Sequence, residues 1–127
     1  MLNYTFDKPL RLLNAEAYKS VFDDATFKVS SSQTLLLARI NKHPNPRLGL
    51  VIAKKNIKLA NQRNRIKRII RESFRLKQHQ LHNIDVVVLA RRGLDQLDNT
   101  EIHSMFDRLW QQLHKKVDKQ AKKDGRQ

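Results

Sequence analysis

Arg63-Asn-Arg-Ile-Lys-Arg-Ile-Ile-Arg-Glu-Ser-Phe-Arg75 reads as a helix with two unlike sides. At helical spacing Ile66, Ile69, Ile70, Ser73 and Phe74 fall at i, i+3, i+4, i+7 and i+8 on one side. Asn64, Lys67, Arg68, Arg71 and Arg75 fall on the other. An apolar stripe of this width must be buried against another element, so the segment predicts an anchored helix whose opposite side meets solvent or a partner.

Its neighbours supply the anchor. Upstream, Leu48-Gly-Leu-Val-Ile-Ala53 predicts a strand, set apart by His43-Pro-Asn-Pro46 from a Leu-rich strand over 34–40. Residues 26–30 alternate Phe27 and Val29 with polar neighbours and predict a further strand. Downstream, Asp85-Val-Val-Val-Leu-Ala90 is a β-branched run ended by Arg91-Arg-Gly93. A short helix over 15–22, capped by Asn14, puts Tyr18, Val21 and Phe22 on one side. A last helix begins near Thr100, with Asp98 and Glu101 as a capping box. Its stripe is Ile102, Met105, Phe106, Leu109, Trp110, Leu113 and Val117. The order is α-β-β-β-α-β-α, an α+β single-domain sandwich over 1–118 with helices packed on a four-stranded sheet. Residues 1–13 are expected to lie irregularly over the surface, and 119–127 to form a basic, disordered tail.

Charge narrows the partner. The 127 residues hold 26 Lys and Arg against 12 Asp and Glu, a formal net charge of +14 with pI near 10.6. A small domain so basic repels itself unless a polyanion compensates. There is no cysteine, which excludes disulfides and thiolate metal sites and fits a reducing, cytoplasmic setting. No signal peptide is legible, and no apolar run approaches the roughly 20 residues of a membrane span.

The cationic side of residues 63–75 is the candidate contact. Of its five positions four are basic and none is acidic, while Arg65 lies at the edge beside Glu72. Guanidinium groups bind phosphate in bidentate fashion and stack on bases, and a helix start adds free N–H groups. Lys54 and Lys55 would extend this surface. A DNA-reading helix-turn-helix needs a short helix directly before the recognition helix, where this sequence has strand and loop, so DNA is not expected. The third strand holds no aromatic residue to stack single-stranded bases in the manner of an RNA recognition motif. Structured RNA is the expected ligand.

Leu48-Gly-Leu-Val-Ile-Ala-Lys-Lys55 followed by the Arg-Asn-Arg segment resembles the bacterial ribonuclease P protein family. The likeness reaches upstream to Arg11-Leu-Leu and Tyr18…Phe22, and downstream through Asp85-Val-Val-Val to the last helix, about residues 6–114. It implies a ribosomal-protein-like fold with a left-handed strand-helix-strand crossover, against the usual right-handed rule. It implies one large catalytic RNA partner, one protein per RNA, with Mg²⁺ held by the RNA, and removal of the 5′ leader from precursor tRNA. Arg63, Asn64, Arg65, Lys67, Arg68 and Arg71 would face that RNA, with Lys54, Lys55 and Arg75 beside them. Arg11, Tyr18 and Phe22 would line a cleft for the leader; spacing alone reads the two rings as core. The loop over 56–62 lacks the glycine found in many members of the family.

Little else could carry chemistry. Asp23-Asp24 and Asp95 with Asp98 sit at expected turns and caps, and His79-x-x-His82 lacks a third ligand. Two other readings stay open: a ribosomal-type structural RNA-binding protein, and an independent nuclease built on those acid pairs.

Overall fold

The computed structural model describes residues 11, 14–81 and 83–123. Its order is α1 (Ala15–Asp23), β1 (Phe27–Ser30), β2 (Thr34–Ile40), β3 (Arg47–Val51), α2 (Ala60–Lys77), β4 (Ile84–Ala90), a 3-10 turn (Leu94–Gln96) and α3 (Asn99–Lys123). This is the expected α+β chain.

The β-branched run of β4 earns a central place in the sheet, with only Leu89 less than buried. It pairs antiparallel with β2 from Thr34↔Ala90 to Ile40↔Ile84, and parallel with β3 from Arg47↔Asp85 to Val51↔Leu89. β1 pairs with the far side of β2, giving the order β1-β2-β4-β3. Parallel neighbours cannot be joined by a tight turn, so the chain crosses between β3 and β4 through α2.

Strand alternation gives the sheet two faces. Phe27, Val29, Leu36, Ala38, Val86 and Val88 meet the layer formed by α2 and α3. Every residue of the two predicted helical stripes is buried there, Ser73 included. Trp110 Nε1 donates to Ser73 Oγ at 2.8 Å, which explains a serine in an apolar stripe. A buried indole N–H left unpaired would cost about 1–3 kcal/mol. The rings of Phe74 and Phe106 flank Trp110 with centroids 5.6 and 5.8 Å away.

The same contacts fix the direction of the two helices. Arg65 reaches Asn99 at the start of α3, Ser73 meets Trp110, and Lys77 lines a cavity with His114. The helices run the same way, and α3 continues through residues 115–123 past the end of its neighbour.

On the opposite face α1 covers only part of the sheet. Val21 and Val87 are fully buried there, with Ala17, Tyr18, Leu37, Val51 and Leu89 partly buried around them. Asn14 caps α1 as expected, its Oδ1 accepting from Ala17 N at 2.8 Å.

Several boundaries differ from expectation. β3 ends at Val51 rather than at Ala53, because the chain turns there: the N–H groups of Asn56 and Ile57 both donate to Ala53 O at 3.0 Å. α2 begins at Ala60 and stops at Lys77 instead of running to Leu81. The capping box forms reciprocally, Asp98 N to Glu101 Oε1 at 3.0 Å and Glu101 N to Asp98 Oδ1 at 2.8 Å. The largest correction is at the other end of that helix. Lys119 was expected to open a disordered tail, yet α3 is helical through Lys123, seated by Val117. Of the N-terminal segment only Arg11 lies within the described residues, where it pairs in parallel with Leu48 at the open edge of β3. Among the described residues no helix is long and apolar enough to cross a membrane.

Candidate nucleic-acid interface

With its apolar stripe sealed, α2 must turn its cationic side outward. Asn64, Arg68 and Arg71 are exposed, and Lys67 and Arg75 are half-buried along the same side. No acidic residue stands in the first turn, and Leu59, at the N-cap position, makes no side-chain capping bond. Positive side chains therefore add to the positive end of the helix dipole instead of being offset by it.

Arg63 and Arg65, expected on this surface, are half-buried and also make internal contacts. Arg63 Nη1 donates to the carbonyls of Ile57 and Lys58 at 2.9 and 2.8 Å. Arg65 makes four bonds: Nε to Gln62 Oε1 at 2.8 Å, Nη1 to Asn99 Oδ1 at 2.7 Å, and Nη2 to the carbonyls of Asp95 and Leu97, each at 3.2 Å. Its guanidinium joins the start of α2 to the turn that leads into α3. The physical reason is position: lying at the edge of the cationic side, Arg65 is within reach of the neighbouring layer. Both residues help hold the helix in place, while Lys67, Arg68, Arg71 and Arg75 carry charge along its outer side.

Lys54 and Lys55 are exposed in the turn after β3. That turn is rigidly placed. Ile57 is fully buried beneath it, and Asn56 Nδ2 donates to Ala90 O at 2.9 Å, tying the end of β3 to the end of β4. Neither anchor was legible in the sequence, since an isolated Ile in a polar loop carries no periodicity.

Across the sheet, α1 and β3 enclose a shallow apolar groove lined by Asn14, Ala15, Tyr18, Lys19, Phe22 and Val51. Tyr18 lies flat on Gly49: a Cβ at that position would stand 2.6 Å from its Cε1. Its hydroxyl accepts from Leu50 N at 3.0 Å. Phe22 is 44% exposed, so the reading of this ring as core is corrected; Val21 takes that role. Arg11 is exposed at the same open edge of the sheet.

A polar cluster closes one end of this face. Arg47 Nε and Nη2 clasp Asp85 Oδ1 and Oδ2 at 2.8 and 2.7 Å, and Asn41 Nδ2 donates to Asp85 Oδ1 at 2.7 Å. Burial alone would raise the Asp85 carboxyl. The hydrogen bonds from Arg47 and Asn41, with the charges of Arg47 and His43, outweigh burial and hold it below the ordinary aspartate value.

The acidic pairs serve structure. Asp23 pairs with Lys19 one turn earlier on α1, and Asp24 stands 3.8 Å from Arg39. The Asp95 carbonyl holds Arg65, and Asp98 caps α3. Among the described residues no three His, Asp or Glu side chains gather as metal ligands. His82 of the His79-x-x-His82 pair lies outside the described residues.

A family model described as Ribonuclease P matches residues 6–114. The chain belongs to the ribonuclease P protein family. It is 53% identical over 116 residues to the ribonuclease P protein component of Saccharophagus degradans, covering 91% of this chain and 86% of that one. To the ribonuclease P protein component of Pseudomonas aeruginosa it is 54% identical over 113 residues, covering 89% and 84%. Among solved structures, the Staphylococcus aureus RNase P protein superposes with a TM-score of 0.72 at 25% identity, covering 79% of this chain and 91% of that one. The molecule is thus a protein component of ribonuclease P, an endoribonuclease of tRNA processing, and the ribosomal-type alternative is not favoured.

Proposed function

We propose that this protein binds the catalytic RNA of ribonuclease P through the outer side of α2 and holds the 5′ leader of precursor tRNA in the groove between α1 and β3. The observation that carries the reading is the asymmetry of α2, whose inner stripe is fully buried while Asn64, Lys67, Arg68 and Arg71 point away from the core with no acid in the first turn. Lys54, Lys55 and Arg75 extend the RNA contact, and Arg63 and Arg65 position it. On the groove side, the exposed ring of Phe22 and the pinned ring of Tyr18 offer stacking surfaces to unpaired bases, each worth about 1–3 kcal/mol.

One protein serves one RNA in the cytoplasm. Hydrolysis of the phosphodiester belongs to the RNA, with Mg²⁺ bound there; Asp98 and Asp23 of the acidic pairs are engaged in a cap and an ion pair, and the protein's part is binding and orientation.

The test is reconstitution of the full chain with ribonuclease P RNA at near-physiological Mg²⁺. Leader cleavage should appear with both components and be absent with protein alone. Changing Arg68→Gln and Arg71→Gln together should lower the slope of log affinity against log salt by about 1.5, since each phosphate contact contributes about 0.7–0.9. An unchanged slope would place the RNA elsewhere. Arg65 is unsuitable for this test, because its loss would loosen the joint between α2 and α3.

A further inference from the structure

The outer side of α3, from alongside α2 into the part that outruns it, carries a second cationic surface, separate from the first. Arg108, Lys115, Lys119 and Lys122 are all exposed, and their spacing of seven, four and three residues sets them in one line along the helix. At about 1.5 Å per residue the line is roughly 21 Å long. Gln111 and Gln112 fill the gap between Arg108 and Lys115, and at the far end Lys122 pairs with Asp118 at 3.3 Å.

The location of this line follows from its neighbours. Arg108 lines a groove with Gln33 from the β1–β2 turn, and Lys116 Nζ donates to Lys28 O on β1 at 2.7 Å. The line therefore looks toward the β1 edge of the sheet, on the flank of α3 away from α2. The α2-facing flank holds Asp107, which lines the cavity shared with Lys77, and Asp118, 3.3 Å from Lys122. Carboxylates thus separate the two positive surfaces. The matched family region ends at residue 114, so three of the four cations lie beyond it.

The chemistry of the line differs from that of the groove and of α2. It is mostly lysine, a compact point charge suited to phosphate oxygens, and it offers no aromatic ring on which a base could stack. Such a surface positions a nucleic-acid backbone without reading it. We propose that the Arg108–Lys122 line of α3 is a second RNA-backbone site, which grips a duplex stem of the same catalytic RNA as that RNA wraps around the layer of α2 and α3. The inference rests on the reading of α2 as the primary RNA contact. A single-stranded leader is the wrong occupant, because the groove that suits it opens on the other face of the sheet.

The test compares three full-length proteins against ribonuclease P RNA over a salt series: wild type, the α2 variant Arg68→Gln/Arg71→Gln, and the α3 variant Lys115→Gln/Lys119→Gln/Lys122→Gln. Thermal unfolding should be nearly unchanged in the α3 variant, since all three side chains are exposed. Its salt slope should fall by about 2, with each contact contributing about 0.7–0.9, and combining it with the α2 changes should add the two losses. If the α2 variant loses slope and the α3 variant does not, the second site is refuted and the first stands. If only the α3 variant loses slope, the α2 reading fails. If RNA binding is intact but the assembled complex binds precursor tRNA less tightly, the line belongs to the substrate and its assignment to the catalytic RNA is overturned.

Discussion

The two faces of the sheet are built on different terms. Against α2 and α3 it is sealed by long stripes of Ile, Leu, Phe and Trp, with a buried hydrogen bond from Trp110 to Ser73. Against α1 the cover is partial: a small apolar cluster around Val21 and Val87, the Asp85 cluster at one end, and an open groove beside Phe22. Stability is concentrated on the first face, which leaves the second free to expose an aromatic ring at little energetic cost.

The sharpest way to break this contrast is Trp110→Ala. Removing a side chain 1% exposed should cost about 3–5 kcal/mol in denaturant unfolding, and a loss under about 1 kcal/mol would mean that the sealed face is not where stability resides. Asp85→Asn should cost less. Breaking a buried ion pair costs about 3–5 kcal/mol, but the Arg47 side chain is 21% exposed and regains water, so about 2 kcal/mol is expected. The pH dependence has a definite sign. The Asp85 carboxyl is held below its unfolded value of about 3.9, so its contribution is complete above that pH and is lost as pH falls through the folded value. Wild type and variant should therefore converge in stability in acid below about pH 4; a constant gap down to pH 2 would remove the ion pair as its source. The smallest stability change belongs to Phe22→Leu, within about 0.5 kcal/mol. That change should nevertheless weaken binding of precursor tRNA relative to mature tRNA by about tenfold, one stacking contact. Equal loss for both RNAs would make the groove mere packing.

How much of this was legible in the sequence depends on range. The stripes of α2 and α3 were legible in full because helical periodicity is local, and β4 was legible because a β-branched run has few other uses. Depth was not. Tyr18, Val21 and Phe22 share one side of α1, and spacing cannot say that Val21 lies at the centre of the buried arc, with Phe22 about 100° further round at its rim. Partners were not legible either. Arg65 is held by Asp95, Leu97 and Asn99, at least thirty residues away, and only the three-dimensional meeting of α2 with the approach to α3 reveals this clasp. Composition misled at one place: lysine-rich 119–123 looks like a tail, although Val117 seats the helix that carries it.

Tyr18 has one consequence beyond its ring. β3 is an outer strand, and an outer strand offers unsatisfied amides to any other chain that can lie alongside it. Here the Leu50 amide is already taken by the Tyr18 hydroxyl, and Arg11 occupies the position beside Leu48. A polypeptide made before its RNA arrives is thereby guarded against self-association through that strand, the form of aggregation to which a sheet with a bare rim is most exposed.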